Sequence, residues 1–509
     1  MRKQNSQFFI NMTASLVTFF VGVGIRFGLT PYIVRTLGPE AYGFIGLSAN
    51  ILSYTSLITI ALNSMAGRFI TITYCSDEVE EANKYYASVF FSNVFLSVAI
   101  SLVVSLGIFF LELFLNIPQG LVFDVKLLFV FLLINNVIGL ISGTWAVSTF
   151  IKNRLDLSNL RIVVGNIINA LVLIFLFSFF SPHVWYIGVG GLMLTIYTAI
   201  TNYRFMGSLT PELVLKKANV EWTKIKNLVQ SGIWNLISKL GELFGQGLDL
   251  LIANLCIGTV EMGYFAITKN VPFLILGLFQ SISSVFAPTM TRLYAQKKEK
   301  ELVDECHKSI RVLSLFTAIP LTCLYIYGDS FYSLWIPSED AHKLLFLTIL
   351  GTFALPYTLP LESLWNIFTI TNKLKYSTLF MLGNNIVVFL IVLCSMFVVE
   401  SHEMRLYILA GTRSLCGVIR GFVFLPIYGS ICLGLSKVTF YKSIFLSLFY
   451  IGACLILCHF GRFLFIPKSW VELTFAFIFV SLISFVIGFF LVLSKKDRVF
   501  FIKKSKRCV

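Results

Sequence analysis

Fourteen stretches of this 509-residue chain are apolar for long enough to cross a bilayer, and nothing else in the sequence limits its fold as tightly. A helix rises about 1.5 Å per residue, so about 20 apolar residues cover about 30 Å of hydrocarbon. The stretches lie near 8–33, 42–69, 86–111, 125–150, 161–180, 184–203, 230–255, 263–291, 311–328, 344–371, 377–399, 406–432, 443–466 and 473–494. They are too long and too continuous for the roughly ten-residue alternating strands of a membrane barrel. Backbone amides in hydrocarbon must then bond within their own segment, which leaves an all-α integral membrane protein. With 57% apolar and 13% charged residues, the chain also lies far from the soluble average of about 25% charged. The segment after Met1-Arg2-Lys3 is too long for a signal peptide and holds Arg26, so it reads as a retained first helix.

The net charge of +15, from 40 Lys+Arg against 25 Asp+Glu, has a direction. Fourteen crossings put both termini on one side. That side carries 28 of the basic residues and the opposite loops carry six, so both termini are expected in the cytoplasm, against anionic lipid and not nucleic acid. The last six, Arg26, Arg68, Lys239, Lys269, Arg413 and Arg420, fall within or at the edge of spans. The ten cysteines show no C-x-x-C spacing and the five histidines do not cluster, so neither a disulfide framework nor a metal site is expected. No Walker-type phosphate loop occurs, so no cofactor and no ATP hydrolysis are expected.

The chain also repeats itself. Gly38-Pro-Glu-Ala-Tyr-Gly43 after span 1 matches Gly258-Thr-Val-Glu-Met-Gly263 after span 7, at an offset of 220. Asn153-Arg-Leu155 matches Asn372-Lys-Leu374 at 219, and Gly165-Asn-Ile-Ile168 resembles Gly383-Asn-Asn-Ile386 at 218. Partners lie six spans apart, so the repeats share one orientation, and parallel repeats usually enclose a central cavity. The expected organisation is an N-lobe at 1–205, a cytoplasmic linker at 206–229, a C-lobe at 230–432, and two added helices with a basic tail at 433–509. A second cytoplasmic stretch, 292–310, is expected to form a short amphipathic helix.

Fourteen helices in a 6+6+2 pattern, the Arg35-Thr-Leu-Gly-Pro-Glu-Ala-Tyr-Gly43 turn and the second G-x-x-x-x-G turn after span 7 resemble the polysaccharide-export branch of the MOP exporter superfamily. Within it the chain is most similar to Wzx-type O-antigen flippases, with the lipid II flippase and the multidrug and toxin extrusion (MATE) transporters as relatives. The resemblance implies a MATE-like inverted V of two six-helix lobes in the bacterial inner membrane. It further implies export of undecaprenyl-pyrophosphate-linked oligosaccharide from the cytoplasmic to the periplasmic leaflet.

The intramembrane charges supply candidate residues independently. A charge at the centre of a membrane helix costs about 2.5–3.5 kcal/mol on insertion scales, so it usually faces a bundle interior or a watery cavity. Asn11, Ser15, Thr18, Gly22 and Arg26 form one stripe in helix 1, and Lys239, Glu242, Gln246 and Asp249 another in helix 7. Arg413 and Arg420, seven apart, share a face. The six cations outnumber Glu242, Asp249 and Glu362, which suits a diphosphate gripped by the donor forks of Arg. The expected substrate-binding set is therefore Arg26, Arg68, Lys239, Lys269, Arg413 and Arg420. Glu242, Asp249 and Glu362 are the candidates for coupling to H+ or Na+. Bland alternatives stand beside these: the helix 1 stripe as a packing device, Lys239 and Glu242 neutralising each other, and Arg68 snorkelling to the interface.

The expected partners are lipid-linked oligosaccharide, membrane lipids and other glycan-assembly membrane proteins. The competing functions are a cation-coupled multidrug exporter of the same superfamily, and a membrane-embedded glycan polymerase or ligase. The polymerase or ligase is disfavoured by an external loop, 329–343, of only about fifteen residues, and the chain is read as no enzyme.

Overall fold

The computed structural model describes residues 2–371, 373–494 and 498; the basic tail and Asn372 lie outside the described residues. The described chain is helical throughout, without strands. Twelve helical segments are long and apolar enough to cross a membrane. The remaining two expected spans are helices of lower hydropathy. One is Tyr186–Leu209, rich in glycine and tyrosine, and the other is a polar helix, Trp222–Glu242, continued by a π-helical turn, Leu243–Gly247, and by Asp249–Cys256. By contact density the chain forms two compact units, Met1–Tyr264 and Phe265–Val509.

The first unit opens with α1, Arg2–Tyr54, which is two helices meeting at Gly38. Gly38 has φ 83° and ψ 163°, where a side chain would clash, and Pro39 restarts the helix at a position needing no amide hydrogen. It is followed by α2 (Ser56–Cys75), α3 (Val79–Phe109), α4 (Val122–Trp145), α5 (Leu155–Phe179), α6 (Tyr186–Leu209), α7 (Trp222–Glu242) and α8 (Asp249–Cys256). α7 lies against α2, where a Cβ on Gly232 would stand 1.9 Å from the Ala61 carbonyl oxygen. No larger residue allows that approach.

The stretch expected as a free linker is strapped down. Asn83 on α3 donates to the Glu212 carbonyl (3.1 Å) and accepts from the Val214 amide (2.7 Å), and Ser88 accepts from the Glu221 amide (3.0 Å). Lys84 bridges Glu81 (2.9 Å) and Glu221 (3.0 Å), and Lys224 pairs with Glu81. Leu213 and Leu228 join a buried cluster with Leu62, Ile70, Tyr86 and Val89.

The second unit is centred on α9 (Glu299–Trp335), 37 residues long and largely buried. Residues 299–310, expected as part of a separate amphipathic helix, are instead its first turns. Because α9 runs on to Trp335, the connection expected at 329–343 is only 336–340. Against α9 lie α10 (Ala341–Thr352), α11 (Tyr441–Leu464) and α12 (Trp470–Leu491). Tyr450 on α11 is fully buried and donates to the Ser484 carbonyl of α12 (2.7 Å), which ties the last two helices together. The nine described cysteines are free thiols, six of them buried as packing residues.

Candidate functional site

In the first unit the helix 1 stripe divides. Asn11, 8% exposed, donates to the Asn153 carbonyl (3.0 Å) and side chain (3.1 Å) and accepts from the Asp156 amide (3.0 Å). Ser15 accepts from Asn159 (2.9 Å), and Thr18 donates to the Asn159 carbonyl (3.3 Å). These polar groups bind α1 to α5, so the stripe is a packing device up to Gly22. Arg26, two turns farther from Thr18, is exposed. Arg68 on α2 is exposed as well.

Spacing in helix 7 brings one expected pair together: Lys239 Nζ lies 2.9 Å from Glu242 Oε2, one turn away. Asp249 follows the π turn and is 8% exposed. Wide turns of this kind leave carbonyls without their usual donors and recur at functional sites. Here the Gly247 carbonyl is recovered from outside the helix, by the hydroxyl of Tyr54 (2.5 Å) and the amide of Asn50 (3.4 Å). Tyr54 also lies within electrostatic reach of Asp249. The side chain of Gln246 is outside the described residues.

The second unit holds the most distinctive arrangement. The segment following α10 cannot stay α-helical, because Pro356 and Pro360 withhold two amide hydrogens, and Leu359–Leu364 is a 3-10 turn carrying Glu362. The helix beginning at His402 widens to a π turn at Arg420–Phe424. The two irregular segments are pressed together by small residues. A Cβ on Gly421 would lie 2.6 Å from the Tyr357 carbonyl oxygen, and one on Gly417 would lie 2.8 Å from Ala354 Cβ. Arg420, Glu362 and Arg413 are thereby held within electrostatic range. Arg420 Nη1 reaches the Met381 sulfur (4.0 Å), and its Nε is buried without an acceptor among the described residues. Among the described residues, Arg420 thus feels both a carboxylate, Glu362, and a second guanidinium, Arg413. Lys269 stands over the Phe265 ring at 5.3 Å.

A further buried cation is Arg161, the first residue of the expected span 161–180, which lies in the second turn of α5 and is 9% exposed. It donates to Ser158 (3.0 Å), and its Nη1 is buried without a partner. The turn at Asn153, φ 52°, starts α5 at Leu155, six residues ahead of the expected span.

Comparison with known proteins follows the same direction. Residues 32–334 match a family described as polysaccharide biosynthesis protein. The chain is 29% identical over 505 residues, 98% of either chain, to a Bacillus subtilis (strain 168) protein named "Uncharacterized membrane protein EpsK". Among solved structures it is similar to an inward-facing multidrug resistance MATE transporter of the MOP superfamily, with TM-score 0.65, 15% identity, and coverage of 82% of this chain and 96% of that one. It is also similar to the lipid II flippase MurJ in an inward closed conformation, with TM-score 0.63, 14% identity, and coverage of 94% and 99%. At these identities the likeness to the solved structures is one of fold.

Proposed function

The chain belongs to the polysaccharide biosynthesis protein family, with the MOP-superfamily fold, and on that premise we propose that it flips a lipid-linked oligosaccharide across the membrane by alternating access. The cargo in this reading is an undecaprenyl-pyrophosphate-linked repeat unit of O-antigen type, moved from the cytoplasmic to the periplasmic leaflet of the bacterial inner membrane, with both termini cytoplasmic. Arg26, Arg68, Lys239, Lys269, Arg413 and Arg420 are assigned to a cationic cavity for the diphosphate. Glu242, Asp249 and Glu362 are assigned to coupling with H+ or Na+.

The observation that carries this reading is Arg420, a guanidinium with a buried, unmatched Nε, in range of the second arginine Arg413 and of Glu362. A diphosphate offers such a group several acceptor oxygens, and charge-assisted bonds of this kind are about twice as strong as neutral ones. Lys239 is already matched by Glu242, so it ranks below the arginines as a ligand.

The fold likeness to MATE transporters supports a second reading, cation-coupled drug export. Neutralising Arg26 and Arg413 together separates the two. In proteoliposomes, the double variant Arg26→Gln/Arg413→Gln is expected to lose translocation of a lipid-linked oligosaccharide while reaching the membrane in normal amount. Normal translocation would remove the cationic cavity, and drug efflux in place of glycan movement would establish the second reading. Imposed proton or sodium gradients decide coupling in the same vesicles, and indifference to both excludes antiport.

A further inference from the structure

Where α5 gives way to α6, three side chains stand in one line of hydrogen bonds. Asp124, in the first turn of α4, has both carboxylate oxygens 3.1 Å from His183 Nδ1, and its Oδ2 also accepts from the Val184 amide (3.0 Å). On the other side of the imidazole, Nε2 lies 3.2 Å from Ser181 Oγ. Asp124 is 9% exposed, His183 is half-buried and Ser181 is exposed. A carboxylate only accepts hydrogen bonds, so the proton is assigned to Nδ1, and Nε2 is left to accept from the serine hydroxyl. The order of acid, imidazole and hydroxyl is that of a serine nucleophile, its base, and the residue that orients the base.

The local sequence holds this geometry. Phe180 has extended backbone (φ −127°, ψ 162°) and ends α5, and Pro182 fixes the chain between the hydroxyl and the imidazole. The Tyr186 hydroxyl donates to the Ser181 carbonyl (2.9 Å), and the His183 ring is flanked by those of Trp185 (6.1 Å) and Tyr186 (5.6 Å). Trp185 stacks on Phe131 of α4 at 5.7 Å, and a Cβ on Gly188 would stand 2.6 Å from Phe131 Cβ, so α6 is pressed against the helix that carries Asp124. Packing accounts for the Asp124 carboxylate, which secures the start of α6 through Val184. It gives no reason for an exposed hydroxyl on the outer nitrogen of the imidazole. The chain neighbours Phe123, Phe179 and Phe180 are exposed, so this hydroxyl stands at a boundary between apolar and aqueous surroundings.

We propose that Ser181, His183 and Asp124 form a hydrolytic site for a carboxylic ester presented at the membrane surface, an activity apart from transport. Ser181 Oγ attacks the ester carbonyl and its proton passes to His183 Nε2. The tetrahedral intermediate expels the alcohol, whose oxygen takes that proton as the C–O bond breaks. Water then attacks the acyl-serine and gives a proton to Nε2, and the serine oxygen leaves with it as the carboxylic acid is released. Water is the sole co-reactant. α6 begins at Tyr186, three residues after His183, which puts the positive end of its dipole at the same loop and favours the oxyanion. Ser181 and His183 are the catalytic residues and Asp124 is a positioning residue. Two sources present such an ester at a membrane surface, the acyl chains of membrane lipid and O-acyl groups on a saccharide. The proposal does not rest on the flippase reading.

The test uses purified full-length protein in nanodiscs, a fluorophosphonate probe and p-nitrophenyl butyrate. Wild type should be labelled at Ser181, located by peptide mass. Ser181→Ala should lose the label and at least tenfold in hydrolysis; it keeps the Asp124–His183 contact and so serves as the folded background. In His183→Gln the side-chain amide still donates to Asp124 but takes no proton, so labelling of Ser181 should slow at least tenfold. Should that variant fail to fold, Ser181→Ala decides alone. A folded wild type without label, hydrolysis equal to that of Ser181→Ala, or labelling unchanged in folded His183→Gln overturns the site. Two substrates then separate the sources. Fatty acid released from phosphatidylglycerol vesicles assigns the ester to lipid, and acetate released from an O-acetylated oligosaccharide assigns it to a glycan, each lost in Ser181→Ala. Turnover of neither overturns the membrane-surface ester.

Discussion

Replacing Arg161 by methionine should make the protein more stable. The guanidinium is nine-tenths buried in α5 with one side-chain hydrogen bond, to Ser158 at 3.0 Å, and one nitrogen without a partner. Among the described residues no carboxylate forms an ion pair with it, and Asp156 on the same helix is bound by two nitrogens of Arg154 at 2.9–3.2 Å. A buried ion without a counter-charge costs several kcal/mol in desolvation, whereas one hydrogen bond from a charged donor returns about 1.5–3 kcal/mol. Methionine has a similar length, no charge and enough freedom to fill the site. The difference is a gain of about 1–3 kcal/mol. At roughly 2–4 °C per kcal/mol for units of this size, the thermal midpoint should rise by about 2–12 °C. The assay is thermal unfolding of purified Arg161→Met and wild type in the same detergent, followed by the retained monodisperse fraction. A fall of more than about 2 °C would show that Arg161 has an acceptor that its surroundings do not reveal, and would refute the reasoning. A rise with loss of translocation would add Arg161 to the functional residues, because a purely structural cation has no such effect.

Gly421→Ala should act in the opposite sense. Its Cβ would stand 2.6 Å from the Tyr357 carbonyl oxygen and 3.0 Å from Thr358, and overpacking of this kind costs about 1–3 kcal/mol; an unchanged thermal midpoint would mean that the two irregular turns are not clamped together. The linker latch should depend on pH. The Tyr74 hydroxyl, 2.7 Å from Glu212, donates to the carboxylate and, with a backbone amide, holds it below the ordinary value of 4.5. A carboxyl lowered by folding contributes above its unfolded value and loses that contribution as the pH falls through the lowered one. A spin label at Lys216→Cys should therefore become mobile only below about pH 4.5, and Tyr74→Phe should make it more mobile already at pH 7. Mobility independent of pH and of Tyr74 would show that the other contacts, those of Asn83, Ser88, Lys84 and Leu213, hold the linker without the Tyr74–Glu212 bond.

How much of this was legible in the sequence depended on the kind of signal. The long apolar runs located most of the helices because burial in hydrocarbon demands hydropathy over about 20 residues, a property written into composition. The Gly38–Gly43 and Gly258–Gly263 turns were legible because Gly38, Gly43 and Gly263 meet backbone requirements that a side chain would violate. Periodicity of 3.6 correctly placed Lys239 beside Glu242, yet it states only which residues share a face and never what the face meets. Asn11, Ser15 and Thr18 did share a face, and it meets α5. The π turns at Leu243–Gly247 and Arg420–Phe424 had no signal, since widening a helix by one residue changes no pattern a sequence displays. The same limit separates two arginines that look alike in the string. Arg161 and Arg420 each bury a nitrogen without an acceptor. Arg420 sits in a widened turn with an acid and another arginine in range, whereas Arg161 lies in an unbroken helix with no carboxylate among the described residues to offset it. A strained helix and a charge cluster at one place argue for a ligand; an orphan charge in regular helix argues for a cost, which is why the first is assigned to cargo and the second to the stability measurement.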